Sequence, residues 1–148
     1  MKSTKNKIRR QQVKSDQKVK LPTNLGCDKF KWSIQSNLLD WQHPIMGFNL
    51  SVIKSFIKII KPRLDNYITM TWGELGKRKS CHPMDINKIS FEMFNRLQEL
   101  FGDEAPETLY QVDITPKHRV WGIKVDDVFC LLWNDEEHKV YPVWKKHT

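Results

Sequence analysis

A chain of 148 residues with a net charge of +8, 39% apolar content and six tryptophans suits one globular domain with a real core, and excludes a wholly disordered polymer. No apolar run approaches the roughly 18 to 20 residues that span a bilayer, and no apolar segment follows the charged start as it would in a secretory leader. Three widely spaced cysteines, Cys27, Cys81 and Cys130, without a CxxC pair, fit reduced thiols in a cytoplasm and imply neither a bound metal nor another cofactor.

The charge is unevenly placed. Residues 1–20 hold eight cations against Asp16 alone, so +7 of the net charge falls there. This stretch has few large apolar residues and cannot offset its own ordering entropy, so residues 1–22 read as a disordered basic arm and 23–148 as a single domain. Lys2, Lys5, Lys7, Arg9, Arg10 and Lys14 are the arm's candidate phosphate contacts. A solubilising tail is the alternative reading of the same residues.

Beyond the arm, Phe30, Trp32 and Ile34 alternate with polar residues at the period of a strand. Residues 40–49, with Pro44 and Gly47, read as a loop or a weak strand. Leu50, Ile53, Ile57, Ile60 and Leu64 then form one helical stripe, which Pro62 should end or kink. Thr71 and Glu74 have capping-box spacing for a short helix over 72–79, followed by a loop at 80–83. Ser90 can cap a third helix, which carries Phe91, Phe94, Leu97, Leu100 and Phe101 and stops at Gly102.

The remainder reads as strands: 109–114, 119–125, 128–133 and a last edge strand at 139–141 limited by Pro142. The expected class is therefore α+β, with an N-terminal strand and two or three helices packed on one face of a C-terminal antiparallel meander. Trp32, Trp121 and Trp133 lie in alternating segments and are expected in the core. Trp144, beside Lys145 and Lys146, is the tryptophan expected to be exposed, where the basic end would join the arm in one nucleic-acid footprint.

This order of elements resembles the RelE/ParE-like toxin fold. The segment 118–133, with His118 and Arg119 opening a strand and an apolar strand returning after Asp126-Asp127, is similar to that family's central hairpin. The run from Asp135 through His138 and Lys139 to Tyr141 is similar to its closing segment. The resemblance implies an endoribonuclease acting on messenger RNA at the ribosome, neutralised by an antitoxin partner. The chain is longer than such toxins and its body is barely basic.

Cleaving RNA without a metal requires a base at the 2′-hydroxyl, a cation for the phosphate and an acid for the leaving oxygen. His118 and His138 are the candidate acid–base groups, Arg119 and Lys124 the candidate cations, and Tyr141 an orienting or proton-donating group. On a regular strand His118 and Arg119 point to opposite faces, so one cleft cannot take both. A second grouping, Cys81-His82 with Asp135 and His138, lacks metal-ligand spacing. The competing functional reading is a non-catalytic module that binds protein or nucleic acid through a sheet edge and the arm.

Overall fold

The computed structural model describes residues 27–142. The basic arm and its six candidate contacts, together with Trp144, Lys145 and Lys146, lie outside the described residues. The described part is α+β and centres on a five-stranded sheet. Its strands are β1 (Lys31–Ser33), β2 (Cys81–Asp85), β3 (Thr108–Asp113), β4 (Arg119–Val125) and β5 (Val128–Asp135), in the order β1-β5-β4-β3-β2. The pairs β2–β3, β3–β4 and β4–β5 are antiparallel, whereas β1 runs parallel to β5.

Helix α1 covers residues 50–67 in four pieces: a 3-10 turn Leu50–Val52, α-helical Ile53–Ser55, a π-helical stretch Phe56–Ile60 and α-helical Lys61–Tyr67. The π turn ends just before Pro62, whose ring would clash with the carbonyl four residues back in an unbroken α-helix. The helix therefore passes Pro62 instead of ending there. Helix α2 (Trp72–Lys77) starts on the expected capping box, Glu74 N donating to Thr71 Oγ1 at 3.1 Å and Thr71 N to Glu74 Oε1 at 2.9 Å. Helix α3 (Phe91–Phe101) is capped by Ser90 and stopped by Gly102 at φ 58°.

The helices divide between both faces of the sheet. On one face Met93, Leu97 and Phe101 of α3 pack with Leu109, Trp121, Ile123, Cys130, Leu132 and Trp133. On the other, Ile60, Leu64 and Tyr67 of α1 and Leu75 of α2 pack with Val112, Val120, Phe129 and Leu131. The cause is legible in β5, which is apolar at both parities and so needs cover on both sides. A bulge places Trp121 opposite Trp133 but Gly122 opposite Leu131, so Leu132 is the extra residue and joins Trp133 on the α3 face.

Two elements depart from the expectation. Residues 81–85, read in part as loop, form edge strand β2, where Pro83 is tolerated because one side needs no donor. Residues 139–141 are not a strand. Two amides that would serve a ladder, those of Lys139 and Val140, donate instead to the carboxylate of Asp135 at 2.7 and 2.9 Å.

Candidate functional site

Residues paired across a sheet share a face, and here two rows of polar side chains meet on the α3 face at one end. The first row runs His82, Gln111, Trp121, Trp133 across β2, β3, β4 and β5. The second runs Asp113, Arg119, Asp135 across β3, β4 and β5. The apolar set between them, Cys81, Val112 and Val120, belongs to the opposite face.

Asp135 anchors the arrangement. It is fully buried and accepts from Trp121 Nε1 at 3.2 Å as well as from Lys139 N and Val140 N. This folds the segment after β5 back over the sheet, with His138 in the left-handed region at φ 60°. His138 Nδ1 lies 3.1 Å from the Tyr141 carbonyl, which can only accept, so Nδ1 carries the proton and Nε2 is left for other chemistry.

Arg119 Nε lies 2.9 Å from Asp113 Oδ1 as an ion pair, although its N–H is not aimed at that oxygen. Arg119 Nη1 donates to the Thr115 carbonyl at 2.7 Å, which pins the guanidinium to the β3–β4 turn. Burial raises the Asp113 carboxyl above its ordinary range, against the charges of Arg119, His82 and His138. Burial likewise lowers His82, with Asp113 pulling it back up and Arg119 and His138 pushing it further down. His82 is thereby held toward its neutral form, and Asp113, Arg119 and His138 lie within electrostatic reach of it.

Among the described residues, three buried side-chain nitrogens lack a hydrogen-bond partner: His82 Nδ1, Gln111 Nε2 and Arg119 Nε. All three belong to the two rows, and Gln111 is only 3% exposed. Buried polar groups are ordinarily satisfied, so their concentration at one place marks a site rather than a stretch of plain core.

Of the five acid–base and cation candidates read from sequence, the fold brings Arg119 and His138 to this end of the α3 face, and Tyr141 contributes its carbonyl to His138 while its ring packs against the α3-side core. It does not bring His118 or Lys124 there. His118 is buried in the β3–β4 turn, with its Nε2 against Asn134 Oδ1 and its amide donating to Thr115 Oγ1 at 3.0 Å. Lys124 lies on the opposite face at the far end of β4, its ammonium 4.7 Å from the Trp72 ring centre and 5.6 Å from that of Tyr110.

Of the grouping Cys81, His82, Asp135 and His138, Cys81 alone turns away, because adjacent strand residues face opposite ways. Cys81 is buried among apolar side chains, its thiol pushed up to about 12 by that burial. Cys130 is buried too, with its thiol raised, and Cys27, Cys81 and Cys130 form no disulfide. Among the described residues no group of three or more His, Cys, Asp or Glu side chains is arranged to hold a metal ion. Sequence reasoning missed Gln111 and Asp113, and it grouped His82 with Asp135 and His138 only as a metal set, not as acid–base groups. The available signal was the polar pair in β3: Gln111 and Asp113 alternate against an apolar Val112 and Ile114.

Comparison with family models, curated proteins and solved structures finds no match to this chain. Among the described residues no helix is long and apolar enough to cross a membrane.

Proposed function

We propose that the protein is a cytoplasmic, RNA-directed toxin or defence protein that cleaves RNA by metal-independent acid–base chemistry at the His82, Asp113, Arg119, His138 cluster. The observation that carries this reading is the gathering of two imidazoles and a guanidinium at one end of one sheet face, where His82 Nδ1, Arg119 Nε and the neighbouring Gln111 Nε2 are buried without a hydrogen-bond partner.

In this reading His82, held neutral by burial, takes the proton of the 2′-hydroxyl. The 2′-oxygen attacks the adjacent phosphorus to give a 2′,3′-cyclic phosphate. His138, entering the step as the imidazolium with its Nδ1–H held by the Tyr141 carbonyl, gives its Nε2 proton to the departing 5′-oxygen, while Arg119 faces the charge that builds on the phosphate. Tyr141 positions His138 through its carbonyl. The eight cations of residues 1–20 would draw the polyanion in without reading its sequence. A ribosome as the cleavage platform and an antitoxin-like protein as the neutralising partner belong to this reading.

The test is incubation of the purified chain with end-labelled single-stranded RNA in excess chelator. Fragments ending in 2′,3′-cyclic phosphate, lost in Arg119→Ala, support the reading. Intact RNA, or cleavage that the chelator abolishes, rejects it. The second reading, a binding module without chemistry, is favoured by one observation, the exposed apolar face of α1.

A further inference from the structure

Straight helical periodicity would bury Leu50, Ile53 and Ile57 with Ile60 and Leu64. The structure instead buries Ile60, Leu64 and Tyr67, packs Val52 and Phe56 against the same cluster, and leaves Leu50, Ile53 and Ile57 exposed by 87%, 48% and 59%. The π turn at 56–60 accounts for this, since an extra residue in one turn rotates the apolar face on either side of it. The outer half of α1 thus presents a stripe at spacings of three and four that the described protein does not cover.

A second stripe runs beside the first. Lys54 and Lys58 each follow an exposed isoleucine by one position, and Lys61 continues the line while pairing with Asp65 at 2.7 Å. Residues 50–64 contain no acidic side chain. This contrasts with residues 27–142 as a whole, where 15 Lys and Arg stand against 16 Asp and Glu. An exposed apolar stripe on a globular protein ordinarily marks a contact surface, and this one is bordered by local positive charge.

From these stripes we infer that the outer face of α1 docks an acidic amphipathic helix of a partner protein. Charge decides among the occupants. Residues 1–26 carry eight Lys and Arg against one Asp, and residues 143–148 carry two lysines and no Asp or Glu, so neither flanking segment offers the negative side chains that the lysine stripe calls for. A second copy meeting about a two-fold axis would set Lys54 and Lys58 against themselves. An anionic lipid surface answers the charge, but binding there scales with buried apolar area, and this stripe is about two turns long. A helix with leucines at i, i+3 or i+4, and i+7 beside a row of glutamates matches both stripes together. The surface lies on the opposite side of the sheet from the His82 cluster, so the inference does not rest on the RNA reading.

The experiment titrates the full chain with a synthetic peptide of about three heptads bearing a leucine stripe flanked by glutamates, followed by amide NMR. The same peptide with lysines in place of the glutamates, and phosphatidylglycerol vesicles, are run beside it. Expected are saturable shifts confined to residues 50–61, weakened at least about tenfold in Ile53→Ser/Ile57→Ser. The Lys54→Glu/Lys58→Glu variant should reverse the preference and take the lysine peptide, which a misfolded variant could not do. Equal binding of both peptides, no binding of either, tighter association with vesicles, or self-association of the chain that Ile57→Ser abolishes would each overturn the inference.

Discussion

Asp40 shows how one buried carboxylate can hold a small fold together. It is 1% exposed and accepts from Arg96 Nε and Nη2 of α3 at 2.8 and 2.7 Å, from Trp133 Nε1 of β5 at 2.9 Å, and from the amides of Gln42 and His43 at 3.2 Å. Burial alone would raise its carboxyl, yet the hydrogen bonds from Arg96 and Trp133 and the charge of Arg96 outweigh that and hold it below its ordinary value. Asp40→Ala takes the acceptor from two of the three Arg96 nitrogens, leaving only the Nη1 pair with Glu99, and from the buried indole N–H, so a loss of about 3 kcal/mol in urea unfolding is expected. His82 gives a second residue-level expectation. Its pKa in the fold lies below the ordinary 6.5, so between the two values the unfolded chain holds a proton that the fold does not. Stability contributed there rises with pH toward 6.5 and is lost as the solution is acidified through that window. His82→Gln should flatten this part of a stability-against-pH curve, and an unchanged slope would remove His82 as its source. Asp113 acts in the opposite sense above its ordinary 3.8, since its raised carboxyl binds a proton in the fold that the unfolded chain has released.

Elements with strong local signals were legible in the sequence. The capping box of α2, the serine cap and glycine stop of α3, and the apolar strand β5 all follow from neighbouring residues. What depended on tertiary partners was not. Edge strand β2 contains a proline and earns its place only by pairing with β3, and the segment 139–141 gives its amides to Asp135 rather than to a ladder. The bulge and its glycine were equally hidden. A Cβ on Gly122 would stand 2.5 Å from the Cys130 carbonyl oxygen and 2.6 Å from the Phe129 ring, so Gly122→Ala should lower stability by about 1–3 kcal/mol in denaturant titration. Asp135→Ala releases the closing segment, and hydrogen exchange at the Lys139 and Val140 amides should accelerate selectively while the amides of α3 keep their protection. Unchanged exchange at those two amides would show that Asp135 does not hold the segment.

Among the described residues the two candidate surfaces lie on opposite faces of the sheet. The α3 side carries the polar cluster at one end of the sheet, and the α1 side presents an apolar stripe with lysines beside it. Part of the candidate site was readable before the fold was known, because Arg119, His138 and Tyr141 stand close in sequence on and after the last two strands. His82, Gln111 and Asp113 join them only through the pairing of β2 with β3 and of β3 with β4, which no local pattern encodes. His118 was drawn into the same reading by its position next to Arg119, but strand alternation and its bond to Asn134 take it elsewhere.

The central claim is that His82 and His138 work as one constellation, and a double-mutant cycle on RNA cleavage tests it most directly. Rates would be measured for the parent, His82→Ala, His138→Ala and the double variant on one single-stranded RNA. Each single change should slow cleavage by roughly 10²–10⁴-fold, and the double variant should be little slower than the worse single, because groups acting as a unit are not additive. Losses that multiply independently, or rates that neither change affects, would contradict the account.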